Sequence, residues 1–315
     1  MSKEVKKVLF CGLDDGGKTS IMHVLNKKFS LLRSIKPTKK AKITTQKFML
    51  LGLEIVNWDL GGQENFRSVY IQKYEKYFST VQTIFYVIDI QDARRFEETH
   101  NYLKSIVEIM HKLHQKDTHF LILLHKCDPD IRDDDDTEKN IVFLQEQIAK
   151  ESPDISFLFY TTSIYDEPSL YKPFSDGVIA FSHKSKMIEA LLKDYMGKSF
   201  NSATVILDEH NFIIASRATK MEYETICQEI APRLSLGLEK LEKLDIDTID
   251  IVIRFTSKFP ESDDQREGMV FLKKIDLKEE RLYLVALCLN HKVKTRSYDL
   301  LPMLASDLRE LLDHY

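Results

Sequence analysis

Hydrophobic and polar positions follow two different regimes along the chain. From Val5 to about residue 160, runs that are apolar on both faces alternate with longer amphipathic stretches. Val5 to Cys11 predicts a strand that runs into a glycine loop and then a helix from about Lys18 to Lys28. Ile43–Leu50 and Leu53–Asp59 predict two strands joined by a turn at Leu51-Gly52. Thr83–Ile90, Phe120–Leu124 and Ser156–Tyr160 predict three more, with helices near 92–114 and 137–150 between them. A strand apolar on both faces needs cover on both sides, so these elements predict an α/β domain with a mostly parallel sheet between helix layers. The tight turn at Gly52 makes one edge strand antiparallel. A helix over Lys184–Met196, stopped by Gly197, closes this first domain at residue 197.

Beyond residue 198 the pattern changes. Thr204–Leu207 and Phe212–Ala215 predict a hairpin, and a long helix follows from Lys220 to Leu244 with Ile226, Ile230, Leu234, Leu238 and Leu241 on one face. Pro232 should kink it. Ile249, Ile251, Ile253 and Phe255 alternate with polar or smaller residues, strands follow near 268–277 and 281–290, and a helix near 299–313 ends the chain. The order predicts a separate α+β domain over 198–315. Its strand Arg281–Asn290 is apolar on both faces, so one face can be covered internally and the other needs cover too, from the long kinked helix within the chain or from a second copy.

The net charge of −4 gives no footing for nucleic acid or an anionic membrane as the main partner. Cys11, Cys127, Cys227 and Cys288 lie far apart without a paired spacing, which suits a reducing cytosol rather than a disulfide or zinc framework. No apolar run approaches a membrane span. Ser2 rather than glycine follows Met1, and Leu312–Tyr315 carries no prenylatable cysteine. The expectation is a cytoplasmic protein that reaches membranes only through a partner. Two suggestive clusters have bland explanations: the acids Asp133–Asp136 suit a solvated loop and helix start, and His111, His114 and His119 suit a surface helix face rather than a metal site.

The chemistry lies in the first domain. Gly12-Leu13-Asp14-Asp15-Gly16-Gly17-Lys18-Thr19 fits a phosphate-binding loop between a strand and a helix, where backbone N–H groups from Asp15 to Ser20 can face a polyphosphate. Lys18 would bridge phosphate oxygens and the Thr19 hydroxyl would ligate Mg²⁺. Asp14 and Asp15 are tolerable beside a polyanion because the loop works through its backbone. Thr38, after Pro37, would close on the same ion. Asp59 would hold it through water, the Gly62 N–H would meet a γ-phosphate, and Gln63 would orient the attacking water. His125-Lys126-Cys127-Asp128 places a carboxylate where it can accept the N1 and N2 hydrogens of guanine, with the Lys126 stem along the base. Ser163 can brace Asp128, and the Ile164 N–H can donate to guanine O6. All these residues fall at the C-terminal ends of strands, where such sheets bind nucleotides.

These residues resemble the Ras-superfamily GTPases. GLDDGGKTS, Pro37-Thr38 and WDLGGQE are most similar to the Arf family, whereas HKCD and FYTTSIYDEPSLYKPFS are similar to the Rag/Gtr GTPases. That resemblance implies GTP/GDP and Mg²⁺ as ligands and a C-terminal roadblock (longin-like) domain. It also implies dimerisation through that domain, with itself or with a related GTPase, and regulators or effectors at switch segments near 33–45 and 60–79. His125 stands where most relatives have Asn. No arginine in the phosphate loop or beside Thr38 is placed as a finger in cis, so slow hydrolysis leaning on a partner is expected. The competing expectations are a scaffold that holds nucleotide without turnover, a monomeric Arf-like trafficking GTPase, and a P-loop ATPase, the last disfavoured by Asp128.

Overall fold

A computed structural model describes residues 4–36, 38, 41–48, 53–151, 155–178, 182–248, 250–258, 265–277, 281–289 and 294–313. Pro37, the Leu51-Gly52 turn, Ile249 and Asn290 lie outside them. The chain divides into two compact units, 1–178 and 179–315.

In the first unit, β1 (Glu4–Cys11), β3 (Leu53–Asp59), β4 (Val81–Asp89), β5 (His119–His125) and β6 (Phe157–Thr162) pair in parallel, and β2 (Lys42–Phe48) joins β3 antiparallel at the edge. The order is β2-β3-β1-β4-β5-β6. The central strands are apolar on both faces, and residues such as Leu9, Ile84, Tyr86, Leu121 and Ile122 are fully enclosed. The helices are α1 (Lys18–Leu25), α2 (Glu64–Gln72), α3 (Tyr74–Phe78), α4 (Phe96–Lys112), α5 (Asp135–Glu151) and α6 (Pro168–Val178). Asp135 and Asp136 form the acidic first turn of α5, where they complement the helix dipole.

Three of these helices, α2, α3 and α6, have no counterpart in the sequence reading. Helix α6 contains Pro173 and Gly177, both poor helix formers, and tertiary burial overrides that propensity. Leu170, Tyr171, Phe174 and Val178 are buried, and the Phe174 ring stacks on Phe85, which stacks on Phe10. Helix α2 directly follows the glycine pair Gly61-Gly62, and its face is short, with Tyr70 as its main buried apolar residue.

The second unit begins earlier than residue 198. Helix α7 (His183–Ser199) was expected to close the first domain, but it packs on the second sheet and on the C-terminal helices. Its stop is Phe200, in the left-handed conformation, while Gly197 lies inside the helix. The strands β7 (Ala203–Asp208), β8 (Ile213–Ala218), β9 (Asp250–Lys258), β10 (Gln265–Asp276) and β11 (Arg281–Cys288) form an antiparallel sheet in the order β8-β7-β11-β10-β9. Helix α8 (Met221–Glu242) continues through Pro232 as one element and covers one face. The helix expected over 299–313 is two, α9 (Lys294–Asp299) and α10 (Leu301–Asp313), with Pro302 in the first turn of the second, where proline is tolerated.

Two expectations about this unit are corrected. Strand β11 needs no second copy to cover it: Leu282 to Cys288 are at most 2% exposed within one chain. Tyr283, Val285 and Leu287 pack with α8 residues Cys227, Ala231 and Leu238. The opposite face, including Leu284, Ala286 and Phe271, is enclosed by α7, α9 and α10, with the Tyr298 ring edge-on to Phe271. The alternating face of β9 is only half used. Ile251 and Phe255 reach the core, but Ile253 is 41% exposed because β9 is an edge strand beyond the reach of α8.

Candidate nucleotide site

The loop from Gly12 to Gly17 joins β1 to α1, beside the C-terminal ends of β3, β4 and β5. Gly17 adopts φ 90°, and a Cβ there would lie 2.5 Å from the His125 ring, so both conformation and space demand glycine. Gly62 is equally constrained: its Cβ would stand 2.1 Å from the Asp14 nitrogen, so the segment after β3 lies directly on the phosphate loop.

Lys18 is 5% exposed and donates to the carbonyls of Gly12 (3.2 Å) and Leu13. Burial lowers its pKa, and the nearby Asp59 opposes that fall. The Thr19 hydroxyl donates to Asp59 Oδ2 at 2.7 Å and lies 3.0 Å from the Thr38 hydroxyl. Asp59 is buried, which raises its carboxyl, and its Oδ1 has no partner among protein atoms. Two hydroxyls and an unsatisfied buried carboxylate oxygen are hard donors that fit a small divalent cation. Asp14, Asp15, Gly17, Lys18, Thr19, Ser20, Thr38, Gly62 and Gln63 share one cleft of about 180 Å³. Gln63, at the position preceding α2, stands at the rim of this cleft with no side-chain bond to the helix.

The end of β5 carries the second half of the site. Ser163 donates to Asp128 Oδ1 at 2.5 Å, so the loop after β6 braces the carboxylate, with Ile164 next in that loop. Lys126, at φ 63°, pairs with Asp89 at 2.6 Å. His125 is 2% exposed, bonds Thr162 Oγ1 at 3.0 Å through Nδ1 and lays its ring edge on Gly17. Burial, reinforced by Lys126, depresses its pKa to about 4, so the ring is neutral near pH 7. It joins the base-side loop to the phosphate loop by packing rather than by a polar contact to the loop.

The sequence reading missed Arg95. Its guanidinium reaches Asp14 across the fold at 2.7 Å and Glu98 at 2.8 Å. The only sequence signal for it was the unexplained pair of acids in the phosphate loop.

A profile for the Gtr1/RagA G protein conserved region matches residues 7–234, well over half of the chain. The Ras-related GTP-binding protein A of Dictyostelium discoideum is 26% identical over 70% of this chain and 72% of its own length. The ADP-ribosylation factor-like protein 3 of Saccharomyces cerevisiae is 34% identical over 33% of this chain, and the match spans about half (52%) of that relative. A solved structure of the Arl6 BBS3 small GTPase from Trypanosoma brucei, with bound GppNp, is also similar, at 19% identity and TM-score 0.42, covering 54% of this chain and 94% of that one. With the profile spanning the phosphate loop, the segment after β3 and both base-side loops, the chain belongs to the Gtr1/RagA family of G proteins and is a GTP-binding GTPase.

Proposed function

We propose that the chain is a slow GTP/GDP switch whose turnover depends on a partner. The observation that carries this reading is the convergence of Lys18, Thr19, Thr38 and Gln63 on one cleft, with Asp59 bonded to Thr19 beneath it. The Thr19 and Thr38 hydroxyls, with Asp59 behind them, would hold Mg²⁺, which would supply charge neutralisation to the bound phosphates. Lys18 exchanges its loop carbonyls for phosphate oxygens, and the N–H groups from Asp15 to Ser20 cradle the β-phosphate. Gly62 presents its N–H to the γ-phosphate, and Gln63 orients the water for in-line attack. Asp128, braced by Ser163, accepts from guanine, with Lys126 along the base and the Ile164 N–H on O6. Loss of the γ-phosphate releases Thr38 and Gly62, loosening the segments that carry them.

Without an arginine finger, intrinsic turnover is expected on the order of 10⁻³ s⁻¹ or less. In single-turnover assays Gln63→Leu should lower hydrolysis at least ~10-fold while retaining nucleotide, since only water positioning is lost. Hydrolysis at the native rate in that variant would leave the chain a nucleotide-holding scaffold.

The second unit is the proposed dimerisation domain, of roadblock (longin-like) type, and the protein a cytoplasmic one recruited to membranes by partners. With β11 covered on both faces, the pairing surface proposed is the edge strand β9, where Val252 and Ile253 are exposed on opposite faces. Light scattering on the full chain should give a dimer, with itself or after adding a related GTPase. Ile253→Lys should return it to a monomer; a monomer under both conditions in the native chain defeats the assignment.

A further inference from the structure

Asp14 presents a problem that the nucleotide reading leaves open. Its residue lines the cleft shared with Lys18, Thr19, Gly62 and Gln63, and also a smaller cavity of about 80 Å³ lined by Val87, Asp89, Asp92, Arg95 and Thr99. Together with Asp15, which also lines both, it forms the wall between the two. Gly62 lies against its backbone nitrogen from the first side. Arg95 holds it from the second, donating from Nη2 to Asp14 Oδ1 at 2.7 Å and from Nη1 to the Asp14 carbonyl at 3.4 Å.

Arg95 is itself fixed from behind. Its Nε donates to Glu98 Oε2 at 2.8 Å, and the other oxygen of that carboxylate accepts from Arg67. Arg67 is buried in α2, the helix that follows Gln63, with its guanidinium 5.1 Å from the Tyr102 ring centre. Four alternating charges thus run from the helix after Gln63 to the phosphate loop. Arg95 and Glu98 are a local pair three residues apart, while Asp14 and Arg67 come to it from distant positions, so the arrangement as a whole belongs to the fold. Such a chain fixes the Arg95 fork in one orientation, which a single exposed pair would not do.

We propose that Arg95 is a positioning residue that holds the Asp14 carboxylate out of the γ-phosphate side of the cleft, and thereby selects GTP relative to GDP. The inference rests on the reading of this cleft as the GTP site. Released from Arg95, the Asp14 carboxylate can turn toward the side that already holds Asp15 and Asp59. There it repels a triphosphate more than a diphosphate, because the added charge lies at the Gly62 and Gln63 end. Arg95, which lines the smaller cavity, pairs with the carboxylate from that side and is itself held by Glu98.

The test measures affinities of the full chain for GppNHp and GDP in Mg²⁺ buffer, with folding of each variant checked by circular dichroism. Arg95→Ala should weaken GppNHp at least ~10-fold and GDP less than ~3-fold, as expected for a new like charge near the γ-phosphate. Adding Asp14→Asn to Arg95→Ala should restore GppNHp to within ~3-fold of native, because the repelling charge is gone while the side-chain shape remains. Arg95→Lys, which keeps the charge without the fork, should fall between. Equal weakening of both nucleotides, no effect of Arg95→Ala, or failure of Asp14→Asn to restore affinity would each overturn the proposal. So would a fall in single-turnover hydrolysis at saturating GTP that the double variant does not reverse, since Arg95 would then act on the transferring phosphate. A native chain that binds neither guanine nucleotide would instead sink the site reading itself.

Discussion

The two units bury polar groups in opposite ways. In the first, Lys18, Asp59 and His125 lie at the C-terminal ends of parallel strands or in the loop beside them, and each has its ionisation disfavoured by burial. In the second, Asn201, Asn211, Ser235 and Ser297 are buried but neutral, and they bond one another. Ser235 donates to Asn211 Oδ1, and Ser297 donates to Asn201 Oδ1 and to the Ser199 carbonyl at 2.9 Å. Those pairs seat helices on the sheet, and apart from Asn201 Nδ2, which has no partner among protein atoms, their polar atoms are satisfied by the fold alone. A buried ammonium resting on carbonyls and a buried carboxylate with one unsatisfied oxygen are not. The difference separates polar burial that serves packing from polar burial held ready for a charged ligand.

Lys18→Ala tests that distinction with the largest expected effect. Removing a buried cation that meets a polyphosphate should weaken GTP and GDP by about 10² to 10³-fold. Because the group costs stability when unliganded, the ligand-free chain should lose little or none on heating. Hydrogen exchange over β7 and β11 should stay at the native level. A variant that binds normally, or that slows or speeds exchange in the second unit, would break the contrast drawn between the two.

Asp128→Asn comes next. An amide in place of the carboxylate leaves the guanine N1 and N2 hydrogens imperfectly paired, so GTP affinity should fall about 10²-fold. Preference should turn toward xanthosine nucleotides, measured by competition titration. Native affinity for GTP, or equal binding of ATP by the native chain, would remove Asp128 from the base site. Ser163 retains its hydroxyl partner in either case, so the loop itself should not collapse.

Most of the first sheet was legible from the sequence because a parallel sheet needs apolar strands on both faces, and the motif residues sit at strand ends. What failed was local. Helix α6 carries Pro173 and Gly177, and the burial of Leu170, Tyr171, Phe174 and Val178, with Phe174 stacked on Phe85, makes it worth forming. The unit boundary failed because Gly197 reads as a stop, while the burial of Ile188, Leu192 and Tyr195 of α7 decides where that helix belongs. The dimer argument from β11 failed for a related reason. A both-faces-apolar strand implies two cover layers, and it does not say that one of them comes from another chain. In the site, Lys18, Thr19, Asp59, Asp128 and Ser163 come together as spacing and strand order led one to expect. Arg95 could not be found that way, since its bond to Asp14 spans 81 positions and no period connects them.

The smallest effect at neutral pH, and the sharpest on acidification, belongs to His125. Its folded pKa of about 4 lies below the unfolded value near 6.5. Between those two values the unfolded chain binds a proton that the folded chain refuses. Stability contributed by the neutral ring is therefore complete above pH 6.5, declines as pH falls toward 4, and changes no further below. The full span corresponds to about 3 kcal/mol by linkage, with Asp89 already opposing part of the fall. His125→Asn removes the titrating group while leaving a side chain that can still bond Thr162. At pH 7 that variant should stay within about 1 kcal/mol of native, and its urea midpoint should be flatter between pH 6.5 and 4. Trp58 is the single tryptophan and lies in β3, so its fluorescence follows the first unit without interference from the second. A native chain and variant with parallel acid slopes would mean that the ring already protonates freely against Gly17. The packing contact would then not be what holds the base loop to the phosphate loop.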